Sequence, residues 1–143
     1  MTALIDRYAA WLPVDADTPR VTLGEGGTPC VESVRIGSRL QLGSLHFKLE
    51  GLNPTGSFKD RGMTVAVSLA LQQGARTLLC ASTGNTSASA AAYGARCGLR
   101  VGVVIPRDGV ASGKLLQARV HGAMVIAVDA GFDAALRCVR ELA

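Results

Sequence analysis

Aromatic residues are scarce in this chain of 143 residues: three Phe, two Tyr and one Trp, 4% of the whole. So small a supply argues against a surface built to stack nucleic-acid bases. Basic residues are in excess, 15 Lys and Arg against 11 Asp and Glu for a net charge of +4, yet from Arg7 to Arg140 they form no run of five or six. No nucleic-acid partner is therefore expected, and the charge reads as a solvated surface open to small anions. The four cysteines, Cys30, Cys80, Cys97 and Cys138, show no C-x-x-C spacing, and the only histidines, His46 and His121, have no ligand-spaced partner. Neither a metal site nor a disulfide framework follows, and the cysteines read as buried thiols in a reducing compartment. No segment approaches the roughly 18 consecutive apolar residues of a membrane span, and no basic, then apolar, leader opens the chain. The expectation is a cytoplasmic protein with no membrane partner.

What the chain does have is core material: 48% hydrophobic residues and 18% charged, with 17 glycines and 5 prolines. At about 150 residues per domain, it is one domain or a piece of something larger. Residues 1–52 form an irregular N-terminal segment punctuated by Pro13, Pro19 and Pro29, with a short helix predicted over Tyr8–Leu12. Leu45–Glu50 alternates apolar with polar, as a strand with one buried face would. From Asn53 the pattern becomes regular. A helix is predicted up to Gly74, a strand at Thr77–Ala81, a helix at Asn85–Arg96 and a strand at Val101–Ile105. A helix at Ser112–His121, a strand at Met124–Val128 and a helix at Phe132–Ala143 complete the series. Four apolar strands alternating with helices predict an α/β fold, a parallel sheet with helices on both faces in three layers (αβα). The last helix has no glycine cap and no following strand, so the chain is expected to be cut short.

Two segments carry chemistry. The first, Asn53-Pro54-Thr55-Gly56-Ser57-Phe58-Lys59-Asp60-Arg61-Gly62-Met63, lies where a strand gives way to a helix. Ser57 and Asp60 fit a capping box, which places Ser57 at the N-cap and Lys59 in the first helical turn. The positive end of the helix dipole disfavours an ammonium there, and a neutral amine is a nucleophile able to form a Schiff base with a carbonyl. An ordinary exposed lysine beside Asp60 fits the same residues. The second segment, Ala81-Ser82-Thr83-Gly84-Asn85-Thr86-Ser87, sets small hydroxyl and amide side chains around a glycine at a helix N-terminus, the outline of an anion cradle. A simple N-cap accounts for one of these residues. Both loops are expected at the carboxyl ends of parallel strands, where open α/β sheets bind ligands. Gly24-Glu25-Gly26-Gly27-Thr28 lacks the spacing of a phosphate loop and reads as a structural turn or a substrate-facing loop.

Taken together, Asn53–Met63, Leu23-Gly24-Glu25-Gly26-Gly27-Thr28-Pro29, Ser82–Thr86 and Gly113-Lys114-Leu115 leading to Gly122-Ala123 resemble the threonine synthases, pyridoxal-phosphate enzymes of fold type II. The resemblance implies the N-terminal portion of such an enzyme: a lead-in over 1–52 and, over 53–143, the small domain that carries the cofactor lysine. It implies Lys59 as the catalytic Schiff-base lysine and Asn85 as a ligand of the cofactor's phenolic oxygen. Ser82, Thr83, Gly84, Asn85 and Thr86 would hold the substrate carboxylate, and Thr86 would also touch the substrate phosphate. The implied reaction turns O-phosphohomoserine and water into threonine and phosphate, in a family that forms homodimers. The fragment alone is expected to be inactive, since the cofactor-phosphate loop and further substrate ligands fall beyond Ala143. The alternatives are a sister lyase of the same fold, a dehydratase or a cysteine synthase, against which Phe58 and Asp60-Arg61-Gly62-Met63 argue, and a non-catalytic folded remnant.

Overall fold

The computed structural model describes residues 2–107 and 112–142. In chain order the elements are α1 (Leu4–Arg7), a 3-10 turn (Ala9–Trp11), β1 (Cys30–Glu32), α2 (Val34–Arg39), β2 (His46–Lys48) and a 3-10 turn (Glu50–Leu52). Then follow α3 (Lys59–Gln72), β3 (Thr77–Ala81), α4 (Asn85–Arg96), β4 (Arg100–Pro106), α5 (Ser112–Val120), β5 (Met124–Val128) and α6 (Phe132–Leu142). From β3 onward the predicted elements and the observed ones agree to within a residue or two, Ala143 lying outside the described residues.

The sheet is parallel, in the order β3-β4-β5, with Leu78 opposite Val101 and Gly102 opposite Met124. Its central strand explains its own sequence: Val101 to Ile105 are all buried, because helices cover both faces. Val101, Val103 and Ile105 meet Ala90 and Ala91 of α4 and Ala118 of α5, while Val104 points the other way and α6 lies over β3 and β4. Helix α4 is buried from Ser87 to Gly94 and is nearly all alanine, serine and glycine there. Small side chains let it lie close to the strands and still be enclosed by α3 and α5. Helices α3 and α4 stop where Gly74 (φ +79°) and Gly98 (φ +70°) supply the left-handed residue that closes a C-terminus.

Three expectations are corrected. The strand predicted at Leu45–Glu50 shortens to β2, which pairs antiparallel with β1 and not with β3, so the parallel sheet has three strands rather than four. Both faces of β2 are exposed, because its partner is a three-residue strand whose own residues are exposed. Cys30 sits on that partner and is exposed, where a buried thiol was expected; Cys80, Cys97 and Cys138 are half-buried, and burial pushes the Cys80 thiol up to about 11. The helix predicted over Tyr8–Leu12 is split into α1 and a 3-10 turn, because Leu4 and Ile5 are the residues with a core to enter. The stretch around Val21 lies on α3 and α4: Val21 N–H donates to Ser68 Oγ at 3.1 Å, and its side chain joins Val67, Ala92 and Tyr93.

At Gly94 a Cβ would run into Val101 Cγ2, with Leu78 Cδ1 3.4 Å away. Gly94→Ala is therefore expected to destabilise the chain by about 2 kcal/mol through overpacking. It should appear as a lower urea midpoint, and Val101→Ala should recover part of that loss in the double variant.

Candidate active site

The loop before α3 is built on turns the sequence dictates. Gly56, at φ +78°, donates its N–H to the Asn53 carbonyl at 2.8 Å and reverses the chain ahead of Ser57. Lys59 lies in the first turn of α3, as predicted, but Phe58 and not Ser57 stands at the N-cap, and the capping box does not form. Ser57 Oγ accepts the Lys59 N–H at 3.2 Å, while the Asp60 carboxylate turns to Thr55. Asp60 has no exposed surface, and a buried carboxylate needs donors in place of water. It accepts the Thr55 N–H at 2.7 Å, the Thr55 hydroxyl at 2.5 Å and the Ser89 hydroxyl of α4 at 2.6 Å.

Through Ser89, the first turns of α3 and α4 stand side by side. The Ser82–Thr86 turn leaves the carboxyl end of β3, as expected, whereas the lysine loop follows the antiparallel β2 and a 3-10 turn. That part of the expectation fails because β2 is not in the parallel sheet. Within the turn, Ser82 Oγ accepts the Gly84 N–H at 3.2 Å and Ser87 Oγ donates to the Gly84 carbonyl at 2.7 Å. No side chain caps α4. Among the described residues, the N–H groups of Asn85 and Thr86 and the side chains of Thr83, Asn85 and Thr86 have no protein partner, and all three side chains are half-buried. A row of unpaired donors at the positive end of a helix suits a carboxylate or phosphate.

The chain contains three lysines. The Lys48 amine donates to the Thr28 carbonyl, and the Lys114 amine to the Thr55 carbonyl at 3.0 Å and Gln117 Oε1 at 3.2 Å. The half-buried Lys59 amine has no acceptor among the described residues and lies 5.0 Å from the centre of the Phe58 ring. An amine held by a carbonyl must break that bond before it can attack a carbonyl carbon, and among the described residues Lys59 has no such bond to break.

Two networks that sequence reasoning missed brace the loop. Arg61 meets Glu50 in a two-pronged pair, both contacts at 2.7 Å, and also donates to the Gly26 carbonyl at 3.1 Å and Thr28 Oγ1 at 3.2 Å. Asn53 joins the same group, donating to Glu50 Oε2 and accepting the Gly26 N–H, each at 2.9 Å. Gly24-Glu25-Gly26-Gly27-Thr28 is thus a turn tied to Asn53 and Arg61. Buried Glu25 accepts the Tyr93 hydroxyl at 2.6 Å and the Leu23 N–H at 3.0 Å, and burial, followed by that carboxylate, raises the tyrosine's pKa. The signal that could have found these networks was the density of short polar residues, Thr22, Thr28 and Asn53, around the acidic Glu25 and Glu50. Among the described residues no group of histidine, cysteine and carboxylate side chains could hold a metal, and no helix is long and apolar enough to cross a membrane.

The bonds from Arg61 hold the Glu50 carboxyl down at about 2, well below its ordinary 4.5. A lowered carboxyl pKa stabilises the fold fully above the unfolded value and is lost as pH falls toward the folded one. Glu50→Gln is expected to cost about 2 kcal/mol at neutral pH. In denaturant titrations across pH, the gap from the parent chain should close between about 4.5 and about 2.

Residues 21–143 match the model of the pyridoxal-phosphate dependent enzyme family. The chain is 54% identical over 140 residues to a threonine synthase of Mycobacterium leprae, covering 98% of this chain and 39% of that protein. It is 56% identical to one of Synechocystis, covering 97% and 37%. It therefore spans about two fifths of the length of these relatives. Among solved structures, maize serine racemase superposes with a TM-score of 0.71 at 25% identity over 97% of this chain and 39% of its own. Threonine deaminase isoform 2 of Solanum lycopersicum gives 0.70 at 25% identity over 80% and 31%. The family model spans well over half of the chain, and the chain belongs to the pyridoxal-phosphate dependent enzyme family.

Proposed function

We propose that the chain is the cofactor-lysine portion of a threonine synthase, acting on O-phosphohomoserine and water to give threonine and phosphate. The observation that carries this reading is the contrast among the three lysines, two with their amines on carbonyls and Lys59 with none. The similarity to threonine synthases over nearly the whole chain supports the choice of reaction. Residues 53–143 are read as the small domain and 1–52 as its lead-in, within an enzyme that is a cytoplasmic homodimer and needs its remaining portion for turnover.

The residues present fit pyridoxal phosphate at its aldehyde and its phenolic oxygen: an amine with no acceptor among the described residues opens α3, and the unpartnered Asn85 amide opens the neighbouring α4. Lys59 Nζ would hold the cofactor covalently, and Asn85 would donate to its phenolic oxygen. When bound, the cofactor supplies an electron sink for charge developing beside the substrate's amino group. The Ser82 and Thr83 hydroxyls, the Gly84 backbone and the Asn85 and Thr86 donors bind the substrate carboxylate, and the Thr86 hydroxyl reaches the substrate phosphate. A free Lys59 Nζ would take and return the substrate's protons, the work of a positioned general base. The half-buried turn orients the substrate so that phosphate departs from its γ-carbon and water adds at the β-carbon.

Borohydride reduction after brief treatment with pyridoxal phosphate is expected to label Lys59 at least about tenfold faster than Lys48 or Lys114, as peptide mapping would show. In the full-length gene product, Lys59→Ala should lower threonine formation from O-phosphohomoserine by about a thousandfold or more. Equal labelling of the three lysines, or turnover surviving the substitution, would overturn the assignment. Serine or O-acetylserine turned over in preference to O-phosphohomoserine would reassign the reaction to a sister lyase.

A further inference from the structure

Thr55 uses every polar atom it has. Its N–H and hydroxyl go to Asp60 of α3, and its carbonyl accepts both Lys114 Nζ at 3.0 Å and Gln117 Nε2 at 3.2 Å from α5. The same ammonium lies 3.6 Å from where a Cβ on Gly56 would stand. Asp60 also receives Ser89, so α3 and α5 hold Thr55 directly and α4 holds it through Asp60, four residues before Lys59. A lysine whose amine satisfies a backbone carbonyl, with no carboxylate partner among the described residues, has given up solvation for that contact. Proline at 54 fixes its own φ, and the Gly56 N–H is tied to the Asn53 carbonyl at 2.8 Å, so the loop on either side of Thr55 is restrained.

We propose that Lys114, with Gln117, is a positioning residue: together with Asp60 it clamps Thr55, and the clamp sets where the Lys59 amine is presented. The ammonium pulls the carbonyl toward α5 while the carboxylate holds the N–H and hydroxyl toward α3. The two peptide units that meet at Thr55 are each gripped, one from α3 and the other from α5, and the segment Gly56-Ser57-Phe58 carries their orientation to Lys59. The inference deepens the reading of Lys59 given above and rests on it.

The test uses the 143-residue chain with two measurements, hydrogen exchange in peptides covering residues 53–58 and the ratio of Lys59 to Lys48 labelling by pyridoxal phosphate and borohydride. In Lys114→Met, exchange in 53–58 is expected to speed up about tenfold, the loss of one charge-assisted hydrogen bond, while exchange in β4 is unchanged. The Lys59 to Lys48 ratio should fall about fivefold or more. Lys114→Arg, which keeps a cationic donor, should restore both values to within about twofold. A uniform rise in exchange would mean a merely structural role and overturn the proposal. So would an unchanged labelling ratio, or Lys114→Arg behaving like Lys114→Met. Should Lys114→Met fail to fold, Gln117→Met carries the same comparison with an expected effect of about twofold. If the parent chain labels Lys48 as fast as Lys59, the reading of Lys59 falls, and exchange in 53–58 still decides the clamp.

Discussion

A carboxylate with no access to water is the constraint around which this chain is organised. Asp60 gives up its hydration on entering the gap between α3 and α4, a cost of several kcal/mol unless donors replace the lost water. It finds them in the Thr55 N–H, the Thr55 hydroxyl and the Ser89 hydroxyl. The first turn of α3 therefore cannot slide along α4 without stripping a buried charge of its partners. The residue before Asp60 is the lysine, and one helical turn before Ser89 is Asn85, so the helix starts that carry the proposed chemistry are held in register by a bond that takes no part in it.

Three consecutive residues of α3 divide the work. Successive positions on a helix point about 100° apart, and Lys59, Asp60 and Arg61 reach in three directions. Asp60 points inward to α4, Arg61 toward Glu50 and the Gly26–Thr28 turn, and Lys59 toward the Phe58 ring. The lead-in and the α/β cycles are thus tied to the same helical turn from opposite sides. The antiparallel hairpin departs from this pattern, since Val31 and Phe47 remain exposed with no covering element among the described residues.

Much of the fold was legible because its signals are local. Short apolar runs between helical segments pointed to β3 to β5 and their helices with little error, and the central strand's unbroken hydrophobicity pointed to cover on both faces. The failures arose where the deciding partner is distant. Leu45–Glu50 alternates as a half-buried strand should, yet periodicity says nothing about which strand pairs with it, and Cys30–Glu32 lay in a stretch read as irregular. The position of Lys59 in the first turn was readable from Ser57 and Asp60, but Asp60's true partners were not. The capping box is a short-range pattern, and Ser89 lies 29 positions away, unmarked in an alanine-rich helix. Likewise Lys114 carried only a family likeness, because its contact with Thr55 spans 59 positions.

The way the three amines are disposed has a chemical corollary. Twelve of the fifteen basic residues are arginine, and a guanidinium stays protonated and does not condense with aldehydes as an amine does. Positive charge is thereby separated from carbonyl reactivity: the surface can attract an anionic aldehyde electrostatically while offering it almost nowhere to stick. With two amines already engaged, misdirected capture is suppressed at the level of composition, before any pocket has to discriminate.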